Sequence, residues 1–448
     1  MLKNIFLFAV LTTSLLQGQS PQRSVIALRA DRLFDGKSSG LLQSGVILVE
    51  DGKISAIGTS VSIPPGAYVV DLGDSTLLPG IIDCHTHLLQ NYDPKLPGVD
   101  ELNMLQTVAT MSTAKRALLG AAIARQDLEA GITTVRDVGN SGVNGDVALR
   151  DAIAAGWVEG SRMLVSTRAL APAGGQFGGL DTPAQGLIAQ EYVVVSTVDE
   201  AHKAVSQAVY DGADLIKVIV NGSGPMLSPE VVKAIVEDAH RSHRKVAAHA
   251  SGNDATRIAA DAGVDSIEHA YTVPDDVLAT MAAKHIFLVP TDGPEETYAE
   301  ILRGSEPGTA AADVAQAAHQ AFQRRADRLR RAIAKGVPVA AGSDMYWNIG
   351  AHARGQNSIA MLRAYAGEGL PPIEVIRAAT SNAAELLGWQ DRIGILEKGK
   401  YADVIAVPGN PLSDVNTFDH VLFVMKEGKI IRNDIKQTER KVAEKGNK

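Results

Sequence analysis

The sequence predicts an α/β fold: a (β/α)8 barrel of the TIM type, joined to a small composite β-sandwich domain built from both termini. Three observations predict it. Eight short apolar segments between residues 80 and 344 alternate with amphipathic helical stretches, as repeated βα units require. Segments rich in β-formers flank that middle, at 24–78 and at 402–424. Forty-two glycines against 4% aromatic residues suit many tight βα turns. A doubly wound open sheet would show the same alternation, and periodicity does not separate the two.

Taken in order, residues 1–20 read as an export signal. Met1-Leu2-Lys3-Asn4 is a short basic start, Ile5 to Leu16 an apolar core, and Gln17-Gly18-Gln19-Ser20 a stretch suited to cleavage. The apolar run falls short of the about 20 residues that span a bilayer, and no cysteine near it offers a lipid attachment point. The mature protein is therefore expected in the periplasm or the extracellular space, with no membrane partner once the signal is removed.

Residues 21–78 are the first part of the sandwich, with strands at 25–28, 46–49 and 68–70 punctuated by Asp35-Gly36 and Glu50-Asp51-Gly52. The barrel occupies 79–393, with strands at 80–85, 132–135, 163–166, 213–220, 246–249, 264–269, 286–289 and 337–344. Helices are expected between them, for example over 230–243 and 254–262. The sandwich resumes at 394–435, and 436–448 is a polar, flexible tail.

The chain's 448 residues are 45% hydrophobic and 21% charged, enough for a large core. Its net charge of −8, with no basic stripe, argues against a nucleic-acid partner. A small molecule or dipeptide is the expected partner, and association into homo-oligomers is left open. Cys84 is the only cysteine, which excludes an intramolecular disulfide.

The chemistry starts at Lys217, in the apolar run Ala213–Val220. A lysine amine in such a strand must be paired, neutralised or chemically changed. His85 and His87 close the first barrel strand at i and i+2, so both imidazoles can face one metal ion. His249, His269 and Asp344 end the fifth, sixth and eighth strands, and barrel active sites lie at such ends. Reaction of Lys217 with carbon dioxide or bicarbonate would give a carbamate whose two oxygens can bridge two divalent cations. His85, His87 and Asp344 would then hold one ion, and His249 and His269 the other. Zinc suits the imidazole-rich set. A hydroxide bridging the ions would be the nucleophile, with Asp344 carrying its proton to the leaving amine.

These residues resemble the amidohydrolase superfamily over nearly the whole mature chain. The matching motifs are Leu78–His87, Thr133–Asp137, Ile267-Glu268-His269, Gly342-Ser343-Asp344, Ala379–Ala384 and Gly394–Asp403. The resemblance implies a distorted barrel, a composite β-sandwich and the ligand set above. Within the superfamily the chain looks most like the prolidase-like group of Xaa-Pro dipeptidases and ochratoxin amidases, which carries a carboxylated lysine, marked here by Ile216-Lys217-Val218. The loop after strand three reads Gly174-Gly175-Gln176 where many relatives have Gly-Gly-His, and the loop after Lys217 is shorter than in many relatives.

The expected function is hydrolysis of the amide bond of a dipeptide or an N-acyl amino acid. A free carboxylate on the leaving residue would need donors at the barrel mouth. Arg136, Arg168, Asn221, Tyr271 and Arg354 are candidates, with Arg136 equally suited to a structural ion pair; Gln176 and His352 are expected as other substrate contacts. Cleavage of a cyclic amide or lactone at the same site is the alternative. A non-catalytic binding protein on a retained barrel is the alternative of another class.

Overall fold

Seven of the eight expected barrel strands form and pair in parallel, each shifted by only a few residues from its expected position. The structure, a computed structural model, describes residues 25–94, 100–222, 224–306, 308–350 and 352–435. The expected export signal and tail lie outside those residues. Ile81–Thr86, Ile132–Asp137 and Arg162–Val165 make a three-stranded sheet. A six-stranded sheet follows in the order Tyr192–Val194, Ala169–Ala171, Leu215–Ile219, Lys245–Ala250, Ser266–His269 and Phe287–Val289.

The eighth segment makes a single parallel bridge, Leu288 to Val339, rather than a strand. Pro338 has no N–H to offer a ladder. Backbone hydrogen bonds nevertheless cross this gap: Ala340 N–H to Leu288 C=O on one side, and Cys84 N–H to Ala341 C=O on the other. At the opposite gap Asp214 N–H donates to Val165 C=O, while the Asp214 carboxylate accepts from Val165 N–H. The parallel strands are thus two sheets linked by isolated bonds, with no continuous ladder among the described residues.

Helices cover the outer faces for the reasons their sequences suggest. Pro229–Arg241 starts on Ser228, whose hydroxyl accepts from Val231 N–H, and buries Val231, Val232, Ile235 and Val236. Asn253–Ala262 buries Ala255, Ala259 and Ala260 and ends at Gly263, φ +81°. These faces join one apolar core with Val218, Val246 and Ile267.

Both termini build the remaining sheet. Its order is Lys429–Asn433, Phe423–Lys426, Val404–Pro408, Ser75–Pro79, Ile26–Leu33, Leu42–Glu50 and Lys53–Gly58, with Tyr68–Asp71 also on Ile26–Leu33. Val404–Pro408 runs antiparallel to Ser75–Pro79, which joins the two halves edge to edge in one eight-stranded sheet. Leu28, Leu33, Ile47, Leu77, Val404 and Phe423 form its core. Ser75–Pro79 passes into Ile81–Thr86 through Gly80, where a Cβ would stand 2.3 Å from Thr133 Oγ1. The terminal sheet is therefore coupled directly to the strand that carries His85.

Candidate metal centre

His85 lies near the end of Ile81–Thr86, with His87 just beyond it. Parallel register pairs Ile219 with His249 and Ala250 with His269, so neighbouring strands deliver their imidazoles at one level. Lys217, two residues before Ile219, points to the same side. Asp344 comes from the eighth segment, anchored by its N–H to His85 C=O at 2.8 Å, with φ +47°. All six side chains line one cavity of about 200 Å³.

The ligating atoms of His85, His87 and Asp344 fall within 4.8 Å of one another. Asp344 Oδ1 lies 3.5 Å from His85 Nε2 and 3.4 Å from His87 Nε2, and is a buried atom with no hydrogen-bond partner among the described residues. His85 Nδ1 faces Glu268 Oε2 at 2.6 Å, and His87 Nδ1 faces Gly139 C=O at 2.9 Å. Each imidazole therefore carries its proton on Nδ1 and presents a lone pair at Nε2. His249 and His269 continue the cluster, their ring centroids 4.6 Å apart. Two such imidazoles and an orphaned carboxylate oxygen are the donor set that a divalent metal ion takes.

Burial sets the electrostatics. It holds His85 and His269 well below the usual imidazole range and brings His249 down to about 3, each helped by the Lys217 charge. For His87 the same burial is outweighed by Asp344, Asp137 and the Gly139 carbonyl, so its pKa rises. Lys217 is 2% exposed and its amine is pushed down to about 8 by burial, against the pull of Glu268 and Asp344. It has no hydrogen bond or ion pair within 4.0 Å among the described residues. A site in which His85, His249 and His269 stay neutral and the lysine is readily deprotonated suits both metal ligation and reaction of the amine with carbon dioxide.

The candidate substrate contacts separate. Gln176 and Tyr271 line the cavity, Tyr271 half-exposed and 5.4 Å from the His269 ring. Arg136 is buried beneath it, donating to Cys84 C=O, Ser266 Oγ and Glu268 Oε1. Arg354 ties two loops together through Gln90 C=O, Asn91 and Met345 C=O. Asn221 pairs with Ser251, and Arg168 donates to Ala189 C=O. His352 lies against Asn357 and Gln356 in a different hollow. None of these five lines the cavity.

Residues that the sequence did not single out also line it: Gln90, Met104, Asn140 and Tyr346 among them. They come from loops and a helix whose course local pattern does not reveal. Glu268 was visible only as the middle of Ile267-Glu268-His269, with nothing to show that it faces His85.

Fold and site together define a metal-dependent hydrolase acting on amide bonds. Residues 76–431 match the amidohydrolase family, and the chain belongs to that family. Ochratoxinase from Aspergillus niger is 29% identical over 87% of this chain and 83% of its own. A solved Xaa-Pro dipeptidase with methionine bound in its active site is 30% identical, with a TM-score of 0.76, covering 91% of this chain and 99% of that one. A prolidase solved with N-methylphosphonate-L-proline is 26% identical, with a TM-score of 0.78, covering 92% and 100%.

Proposed function

We propose that the protein is an exported amidohydrolase that cleaves the amide bond of a dipeptide or an N-acyl amino acid. Two divalent ions, zinc by ligand preference, would be held by a carboxylated Lys217 together with His85, His87 and Asp344 for one and His249 and His269 for the other. The observation that carries this reading is the convergence of these six side chains on one cavity, with Lys217 buried and unpaired at its wall. Seven strands of the two parallel sheets, with the bridging segment 337–344, are taken as the eight staves of one barrel, and the terminal sheet as its β-sandwich. The ochratoxinase and dipeptidase relatives support the substrate class.

Bound cations supply Lewis acidity, which polarises the scissile carbonyl and acidifies water. Asp344, whose Oδ1 has no other partner among the described residues, takes the proton from attacking water and returns it to the leaving amine. Gln176 and Tyr271, on the cavity wall and at its mouth, orient the substrate. The surrounding apolar wall of Val138, Ala169 and Ile219 limits competing water.

One observation favours a second reading, a cyclic amide or lactone as substrate. Among the described residues no arginine lines the cavity, so no guanidinium is in place for a free carboxylate. The test is turnover of a panel of dipeptides, N-acyl amino acids and cyclic amides by protein loaded with zinc and bicarbonate, with Lys217→Ala as blank. Hydrolysis that requires a free α-carboxylate beside the scissile bond establishes the first reading. Activity confined to cyclic substrates establishes the second, and activity equal in the blank defeats both.

A further inference from the structure

His269 ends its strand in a conformation that its side chain disfavours. Its φ is +69° and that of Ala270 is +47°, both left-handed values uncommon outside glycine. Thr291, at the end of the neighbouring strand, also has a positive φ, +59°. Such strain persists only where the surroundings over-determine it.

Those surroundings converge on Arg328, from the helix Ala311–Ala334. Its side chain is 1% exposed, and one terminal nitrogen donates to His269 C=O and, at 3.4 Å, to Pro290 C=O. The other donates to Asp292, which is fully buried. One guanidinium thus gathers the ends of two adjacent strands, Ser266–His269 and Phe287–Val289. Asp292 is held in turn by Arg325, 3.7 Å away, whose guanidinium lies over the Tyr298 ring. The imidazole is oriented from the same loop. Thr291 Oγ1 gives its proton to Pro290 C=O at 2.7 Å and can therefore only accept from His269 Nδ1, at 2.8 Å. That leaves His269 Nε2 as the lone pair offered to the cavity.

We propose that Arg328, locked by Asp292, is a positioning residue for the metal centre: it holds the His269 backbone in the left-handed turn that aims the imidazole into the cavity. Neither residue touches the cavity, and the inference rests on His269 being a metal ligand. Lysine at 328 keeps the charge but has no planar fork to span a carbonyl and a carboxylate together.

The experiment compares Arg328→Lys, His269→Ala and the double variant Arg328→Lys/Ala270→Gly with the wild type. It reads metal affinity by chelator competition, the absorption spectrum of the cobalt-loaded protein, and melting temperature. Arg328→Lys is expected to bind metal about tenfold or more weakly, in the range of lost supporting bonds around metal ligands, with an altered cobalt spectrum. Adding Ala270→Gly, which is at ease at this φ, should restore much of both. A lowered melting temperature alone, with wild-type affinity and spectrum, overturns the proposal, as does failure of Ala270→Gly to restore either. Should Arg328→Lys not fold, Asp292→Asn replaces it under the same criteria. If His269→Ala itself binds metal as the wild type does, the assignment of His269 as a ligand has failed, an outcome distinct from failure of Arg328 to position it.

Discussion

The Glu268 carboxylate braces His85 from behind: its Oε2 lies 2.6 Å from His85 Nδ1, while its Oε1 accepts from Arg136 at 2.8 Å and Ser266 at 2.5 Å. All of these side chains are buried. The arrangement fixes the imidazole tautomer and turns Nε2 toward Asp344, 3.5 Å away. The Arg136 guanidinium is taken up by this carboxylate, Ser266 Oγ and Cys84 C=O.

Replacing that carboxylate separates its two roles. Glu268→Gln keeps the shape but loses the charged acceptor at His85, and metal affinity is expected to fall about 10–100-fold, measured by chelator competition. Glu268→Ala also strands Arg136 as a buried charge, which costs about 3–5 kcal/mol of stability and should show in the urea midpoint. Wild-type metal retention in Glu268→Gln would mean that the carboxylate does not set the imidazole.

Asp127 gives the fold a pH dependence away from the site. It is buried on the helix Thr113–Glu129, its Oδ2 lacks a hydrogen-bond partner among the described residues, and burial raises its pKa to about 7. The folded chain therefore keeps a proton that the unfolded chain loses near the ordinary aspartate value. This contribution to stability is complete below about pH 4 and is lost as pH rises toward about 7, by up to about 1.4 kcal/mol per pH unit. Asp127→Asn should flatten that slope, read from urea midpoints at about pH 5 and about pH 7. An identical slope in the variant would assign the dependence to other groups.

Cys84 is fully buried in an apolar cluster with Ile82, Leu164, Leu215 and Val289, with its thiol pushed up to about 12 by burial. Only the thiolate reacts. The folded protein should resist thiol-specific reagents and take up one equivalent after denaturation. Rapid labelling of the folded chain would show that Ile81–Thr86 opens readily, at odds with its complete burial.

How much of this was legible in the sequence depended on distance along the chain. Seven strands and the positions of His85, His87, Lys217, His249 and His269 on or beside them follow from local apolar runs, which parallel burial makes conspicuous. The eighth run, 337–344, looks like the others, but Pro338 and the close packing of Gly342 against Val289 and His85 reduce it to a bridge. Three strands of the terminal sheet, Lys53–Gly58, Ser75–Pro79 and Lys429–Asn433, lack a distinct apolar run and were not expected. Arg136 and Arg354 occupy the same kind of strand-end or loop position as a substrate contact. Their partners, Glu268 and Gln90, lie 132 and 264 residues away. No local pattern reports on such a separation.

The Gly174–Gln176 loop offers the most selective test of substrate contact. Gly222 packs so closely that a Cβ there would stand 2.2 Å from Gly175 C=O and 3.6 Å from Gln176 Cα. On the other side, a Cβ on Gly175 would meet the Tyr192 ring at 2.3 Å, so the loop is clamped between the two. Tyr192 also donates its hydroxyl proton toward Gln176 Oε1 at 3.0 Å. Gly222→Ala must therefore displace the loop and move Gln176 on the cavity wall, at a stability cost of about 1–3 kcal/mol. The proposed metal ligands lie outside the Gly174–Gln176 loop, so metal content should be unchanged while KM rises several-fold and kcat changes less. Gln176→Ala should raise KM in the same direction without the loss of stability. If Gly222→Ala lowers metal content, or Gln176→Ala leaves KM unchanged, this loop does not contribute to substrate binding through Gln176.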